Sequence, residues 1–586
     1  MKSFLVPVLA SLFFLGMAPA NPASRDLARI LEDLQQHVLE ENPGQRLYEG
    51  LPVHRLPDLT FEAARREVDF LRALRERTAR IDPAGLSAEE RLTRELLLWQ
   101  WDRSVESLDH YWTQFQVTPY SFPLRDLDDV FTTLTFADSR DTVRYLDLMN
   151  QYARIVGQIQ ANLEAQRVKG ILLPKLEIDP VVKLIRALVR KSEEGPFAVE
   201  PARLEKIGRT EAEAFSKEVL RRVAESINPA LEKLAAVPDS AEYRRQAPER
   251  VGIGQYPGGA ATYRHLIHVH TTLELAPEEI HRRGLEQMAQ LDARMAEVRK
   301  ALGFQGTKRE FHQKLRTDPR FFVKTPEEVA ERLTAPLRRI EPKVSAYFLR
   351  TPKAPYGVER LPAALEGSMT YGYYRRPTAA LPRGDYLFNG SRLEERSQLK
   401  AAALAYHELV PGHHFQIALQ AENESLPPLR RDYFTTAYVE GWADYAAGLA
   451  EEMGGYADLW ELYGRLAQDA MLTARLVVDT GMNALGWTRE RAIEYLRENT
   501  LQTETEIGTE TLRYSVDIPA QALAYKTGAN AIWDLRRKAE KALGPKFDIR
   551  RFHEAVLGSG ALPLEVLEKH IDGWIAGEQG RGASGP

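Results

Sequence analysis

Three histidines and a glutamate fall within eight positions of the stretch Tyr406 to Gln416, which reads Y-H-E-L-V-P-G-H-H-F-Q. His407, Glu408, His413 and His414 are residue types that bind and use a zinc ion, and a carboxylate follows at Glu440. A catalytic zinc takes three protein ligands and keeps a fourth position for water, whose pKa it lowers to about 7. In the frequent H-E-x-x-H arrangement the histidines at i and i+4 share a helix face, and the Glu after the first is the general base. His407 and Glu408 fit that arrangement, but Pro411 stands four positions after His407. The second ligand must then come from His413 or His414. A straight helix, rising about 1.5 Å per residue, would hold those roughly 9 to 10.5 Å from His407, too far for one ion.

Pro411 and Gly412 supply a way out. Proline removes the bond to the carbonyl of His407, and glycine tolerates the backbone angles of a loop-out, so a bulge inside the zinc helix is expected. His413 needs two residues looped out relative to the i+4 spacing and directly follows a glycine. His414 needs three, which comes closer to a whole turn and preserves the helix face. His413 is preferred as ligand, with His414 as the alternative and, if not a ligand, a neutral donor to substrate.

The third ligand is expected to be Glu440, in Y-V-E-G-W-A-D-Y. Glu440 and Asp444 lie at i and i+4 and face the same way, so Asp444 can orient a ligand histidine through its other ring nitrogen. Tyr438, Trp442, Tyr445 and several alanines around them describe a buried helix, where unpaired carboxylates are costly.

Together with R-L-V-V-D-T-G-M-N-A-L-G-W-T and R-Y-S-V-D-I-P-A-Q-A-L-A-Y-K-T-G, these strings resemble the bacterial DUF885 family. That family is similar in its zinc helix to the thimet oligopeptidase and angiotensin-converting-enzyme group of gluzincins. The likeness runs from about Tyr263 to Leu567. It implies a zinc-dependent peptidase holding one Zn2+ ion, with Arg513, Tyr514, Gln521, Tyr525 and Lys526 in the active cleft. Tyr525, and second Tyr514, are candidates to donate a hydroxyl to the developing oxyanion. Arg513, Gln521 and Lys526 are candidates to hold a peptide carboxylate. Asn483 departs from the family, whose usual residue there is His.

The elements that must position these groups are mostly helical. The chain has 586 residues, 44% hydrophobic and 27% charged, which is ample for a large core. A net charge of −5 argues against nucleic acid as a partner. Lys2, the apolar run Phe4 to Met17 and Ala18-Pro19-Ala20 read as a signal peptide, so export to the periplasm is expected, with no membrane association after cleavage. No cysteine is present, which excludes a thiol nucleophile, a thiolate zinc site, a disulfide scaffold and a lipoprotein attachment point.

Apolar stripes at Leu27, Ile30, Leu31, Leu34 and Val38, and at Phe61, Ala64, Val68 and Leu71, predict amphipathic helices. Ser87 to Glu90 predicts a capping box, and the aromatic stretch His110 to Phe122 reads as core. The histidines of Tyr263 to His270 are taken as structural, having no acidic partner near in sequence. Helices are expected to start at Pro277 and at Thr325-Pro326. Met369 to Asn389 reads as a small sheet whose edge could pair with an extended peptide. Ser391 to Glu394 predicts a capping box opening the zinc helix, and Gly454-Gly455 the close of the Glu440 helix.

The expected architecture is mostly α: a large, two-lobed, zincin-like metallopeptidase with a central cleft and a small β-sheet beside the zinc helix. Its expected regions are a signal peptide (1–20), an N-terminal helical region (21–250), a catalytic zinc-binding region (251–576) and a disordered tail (577–586). Glu408 would take a proton from water and return it to the leaving amine of a short peptide substrate. A zinc-dependent amidase acting on a non-peptide amide would use the same residues. A non-catalytic binding protein with a relict site is the third possibility, disfavoured by retention of Glu408.

Overall fold

A computed structural model describes residues 21–366, 372–378 and 381–580 of the chain. The expected signal peptide lies outside the described residues. So do 581–586 of the expected tail, whose first residues, 577–580, are instead the last turn of the helix Leu564–Gly580. The described chain is mostly helical, with one sheet of three strands. No helix among the described residues is long and apolar enough to cross a membrane.

The chain divides into two compact units. One runs up to His265 and takes back Leu512–Pro519; the other holds Leu266–Thr511 and everything from Ala520. The expected regions divide at 250/251, whereas the division into compact units lies further on. It falls inside the continuous helix Gly259–Thr271, because prolines and glycines mark where helices stop and not which core a helix joins.

The first unit is helical throughout its described residues. Leu27, Ile30, Leu34 and Val38 bury one face of Pro22–Glu41, with Leu31 at the margin. Ala64, Val68, Leu71 and Leu74 do so for Phe61–Ala79. Ser87 and Glu90 form the reciprocal capping box that starts Ala88–Glu106. Tyr111, Phe115 and Phe122 are core residues. Arg513 and Tyr514 belong to this unit, in a short π-helical turn, Arg513–Asp517; Asp517 accepts the backbone N–H of Tyr120 at 3.3 Å.

In the second unit the sheet runs in the order β1 (Tyr356–Arg360), β3 (Gly384–Phe388), β2 (Tyr373–Arg375). β1 pairs with β3 in parallel, Tyr356 opposite Gly384, and β2 pairs antiparallel, Tyr374 opposite Tyr386. Thus β3, the strand closest in sequence to His407, is central, buried and paired on both sides. It has no edge to lend to a peptide along those residues. β1 also lies upstream of the expected stretch, whose residues 369–371 and 379–380 are outside the described ones.

Helix starts at Pro277 and Pro326 are present, the latter capped by Thr325 on the N–H of Glu328. The expected Ser391 capping box is not. Ser391 spends both its N–H and its hydroxyl on Asn389 Oδ1, and the helix begins instead at Ala401, without a side-chain cap. At the far end of Thr436–Glu452, Gly455 N–H reaches Ala450 O at 2.7 Å and Gly454 N–H reaches Glu451 O at 2.9 Å. With Gly454 at φ +62°, this is the double-bonded helix stop that a glycine pair encodes.

Candidate metal centre

The stretch Tyr406 to Gln416 folds as two helices and not as one bulged helix. Ala401–Glu408 ends at Leu409, whose ψ of −95° leaves the helical region, and His413–Ala421 begins after Gly412. Proline cannot continue the first helix, and four residues of turn reverse enough direction to bring His413 back beside His407. The turn is clamped. Trp442, completely buried, donates its indole N–H to Pro411 O at 2.9 Å, and Gln416 N–H returns to Gly412 O at 3.1 Å.

Gly412 is required by space. A Cβ there would lie 1.9 Å from His407 O and 2.4 Å from Tyr406 O. Gly412→Ala is therefore expected to push the two histidine-bearing helices apart. Overpacking of this kind costs about 1–3 kcal/mol or more, so the variant should show a lower unfolding midpoint and weaker zinc binding. Wild-type values for both in calorimetry and metal titration would show that the turn does not hold the site.

Glu440 arrives from Thr436–Glu452, a helix buried on nearly all sides. Its backbone meets that of Leu523–Leu543 directly: a Cβ on Gly528 would lie 1.9 Å from Ala437 O, and one on Gly441 would lie 2.5 Å from Gly528. Two glycines thus set the depth at which Glu440 sits.

The result is one cluster of donor atoms. Nε2 of His407 and Nε2 of His413 each lie 3.4 Å from Glu440 Oε2, and one donor atom from each of the three residues lies within 4.8 Å of the others. Among the described residues no other group of histidines and carboxylates is so arranged. The histidine rings cross at 82° with centroids 4.7 Å apart. A tetrahedral ion with bonds of about 2.0–2.1 Å separates its ligand atoms by roughly 3.3 Å, so the observed spacing and the His2Glu donor set both fit zinc.

Electrostatics agree with a site built for charge. Burial alone would push Glu440 up, but His413 and His407 beside it hold its carboxyl well below the usual carboxylate range. Burial disfavours a charged His413, yet Glu440 outweighs it and raises the imidazole. Glu408 is raised by burial, which the two histidines only partly offset. Tyr386 of β3, buried and within the field of Glu408, is pushed well above an ordinary phenol.

Other expected site residues are placed differently. His414 faces the sheet: its Nδ1 lies 3.0 Å from the Tyr374 hydroxyl and its Nε2 3.1 Å from Ala354 O. Asp444 orients neither histidine. Nδ1 of His407, Nδ1 of His413 and both Asp444 oxygens make no hydrogen bond among the described residues, and the Asp444 neighbour is Arg465, at 3.7 Å. The i,i+4 spacing put Asp444 on the right face but one turn deeper, in a buried charge network. Lys526 is not available for a substrate carboxylate, because it is buried and paired with Asp469, which Arg465 also approaches at 3.8 Å. Tyr514 is completely buried and has no surface for substrate. Gln521 and Tyr525 are half-buried in the second unit.

Asn483 has a structural post. Its side-chain amide donates to Asp479 O at 3.0 Å, and the Asp479 carboxylate accepts the N–H of Ala520 at 3.1 Å, fixing a residue with φ +66°. That turn starts the helix carrying Tyr525. The histidines of Tyr263 to His270 lie on a helix, where His268 bonds Glu565 at 3.0 Å, a partner remote in sequence. Arg475, Glu510 and Lys400 are the neighbours that sequence reasoning missed. Arg475 bonds Glu510 through Nε at 2.9 Å and its guanidinium lies 4.8 Å over the Tyr525 ring. Burial, with Arg475 nearby, lowers Lys400 to about 8. An arginine inside the apolar run Ala474 to Val478 was the available signal, since a charge in such a run must be paired.

The family described as "Bacterial protein of unknown function (DUF885)" matches residues 43–571. A crystal structure described as a "putative lipoprotein" from Colwellia psychrerythraea is similar at TM-score 0.83 and 26% identity, covering 95% of this chain and 99% of that one. A second, described as a "putative lipoprotein of unknown function" from Shewanella oneidensis, is similar in fold at TM-score 0.71 and 18% identity, covering 94% and 99%. No curated protein matches the chain.

Proposed function

The chain belongs to the DUF885 family, and from that premise and the donor set above we propose that it is an exported, zinc-dependent metallopeptidase acting on short peptides. The observation that carries the reading is the cluster of His407, His413 and Glu440: each histidine Nε2 lies 3.4 Å from Glu440 Oε2, close to the separation of two ligand atoms on a tetrahedral ion, and one donor atom from each residue lies within 4.8 Å of the others. At such a donor set zinc supplies Lewis-acid polarisation of a carbonyl and a water acidic enough to react near neutral pH.

The chain's own residues do the rest. Glu408 follows the first ligand directly, at the end of its helix, and burial raises its affinity for a proton. Its carboxylate takes a proton from the attacking water and delivers it to the leaving amine. The Tyr525 hydroxyl donates to the oxygen on which negative charge develops. The sheet, the paired histidine helices and the Glu440 helix of the second unit are the zincin-like part of the molecule in this reading. Export rests on the leader pattern of the first twenty residues. Unlike proteins that carry lipid on a cysteine, this chain has none.

The test is metal analysis of the purified chain, with hydrolysis of a panel of peptides and N-acyl amino acids measured before and after chelation. One zinc per chain, and peptide cleavage lost with the ion and restored by it, is the expected result. Cleavage confined to the acyl amino acids would make it an amidase. Glu440→Ala should abolish zinc binding, whereas Asp444→Ala, which touches no ligand histidine, should retain the ion. Zinc retained without Glu440 would mean the third ligand is another residue.

A further inference from the structure

The tyrosine given the oxyanion role has an unusual support. Arg475 is 9% exposed and Glu510 12% exposed at their side chains. Glu510 grips the guanidinium at two points, Nε at 2.9 Å and NH2 at 3.1 Å, which fixes its plane. That plane covers the Tyr525 ring at 4.8 Å, inside the roughly 6 Å within which a cation and a ring face attract. Three helices meet here: Leu459–Asn483 brings Arg475, Glu504–Leu512 brings Glu510 and Leu523–Leu543 brings Tyr525. Arg475 also lies within the field of Glu440, one of the three clustered donor residues.

We propose that Arg475, locked by Glu510, is the positioning residue for Tyr525, holding its ring and strengthening its hydroxyl as a hydrogen-bond donor. The inference deepens the peptidase reading and rests on it for the role of Tyr525. The guanidinium has committed its Nε–NH2 edge to Glu510 and a face to the ring, so the action proposed for it is through the tyrosine. A positive charge over the ring draws electron density from the phenol oxygen. That makes its O–H a better donor at the moment an oxyanion forms.

The experiment has two arms on the full chain. In the first, metal-free protein is grown with 3-fluorotyrosine, and the 19F resonance missing from Tyr525→Phe identifies Tyr525. Arg475→Gln is expected to shift and broaden that line, as the ring loses both its cation and its cover. An unchanged line overturns the proposal. If Arg475→Gln does not fold, Arg475→Lys keeps the charge but loses the two-point grip, and a smaller shift of the same line is expected; again, no shift overturns it.

In the second arm, kcat and KM are measured on the peptide that wild type cleaves fastest. Tyr525→Phe should lower kcat roughly 100-fold and Arg475→Gln roughly 10-fold, with KM and zinc content unchanged. In the Tyr525→Phe background Arg475→Gln should cost nothing further. An equal loss in both backgrounds would show that Arg475 acts independently of Tyr525. A chain that cleaves no peptide removes the peptidase reading, while the resonance arm still decides whether Arg475 holds the ring.

Discussion

Glu408→Gln is expected to keep one zinc per chain and to lose peptide hydrolysis by roughly 10²- to 10⁴-fold, the range that a positioned general base contributes. The substitution keeps size and shape, and Glu408 supplies none of the three clustered donor atoms. The amide of Gln cannot accept the proton of the attacking water or return it to the leaving amine. The loss should fall on kcat and kcat/KM together, since the interaction is made on the way to the transition state. The buried carboxylate already disfavours its own charge, so its removal is not expected to destabilise the fold. Metal analysis and steady-state kinetics on the same preparation decide the matter. Hydrolysis near the wild-type rate with zinc bound would take Glu408 out of the mechanism.

Much of the site was legible because its chemistry is written locally. His407, Glu408 and His413 stand within seven positions, Glu440 stands out as a carboxylate on a helix that reads as buried, and a proline at the fourth position announced that a straight helix could not serve. The glycines were informative for the same reason. Gly412 and the Gly454-Gly455 pair mark a close approach and a helix stop that no larger residue satisfies. The manner of the break was less legible. A bulge and a full turn between two helices use the same residues, and the choice is settled by partners such as Trp442, whose N–H caps Pro411 O from 31 positions away.

What sequence did not reveal was pairing over long distances. Lys526 reads as an accessible cation until Asp469 is found beside it, 57 positions earlier. Asp444 reads as a partner for a histidine until Arg465 is seen below it. Arg475 drew no attention, although it and Glu510, 35 positions apart, frame the tyrosine that was singled out. Charged residues within a core find partners from any part of the chain, and helical periodicity gives only their face. Units are illegible for a related reason: a chain can pass from one compact unit to another inside an unbroken helix, as it does within Gly259–Thr271.

His413→Ala is expected to empty the metal site, and His414→Ala to leave it filled. The two residues are neighbours, yet their lone pairs are committed differently. Nε2 of His414 lies 3.1 Å from the carbonyl of Ala354, which only accepts, so that nitrogen carries a proton. Burial lowers the ring to about 4, which keeps it neutral and leaves Nδ1 as an acceptor for the Tyr374 hydroxyl at 3.0 Å. Neither nitrogen has a lone pair left for a metal. His414→Ala would remove the partner of a half-buried carbonyl and a half-buried hydroxyl, at a cost of about 0.5–1.5 kcal/mol for each bond in unfolding free energy, and would loosen the sheet against the helix. It should lower the unfolding midpoint while zinc stays at one per chain. His413, by contrast, aims Nε2 at Glu440 and makes no hydrogen bond through Nδ1 among the described residues. Its removal takes away one of three ligands, so zinc content should fall to background with loss of all metal-dependent hydrolysis. Zinc absent from His414→Ala and present in His413→Ala would reverse the assignment, and would require the turn at Leu409 to Gly412 to be wound differently from the one seen here.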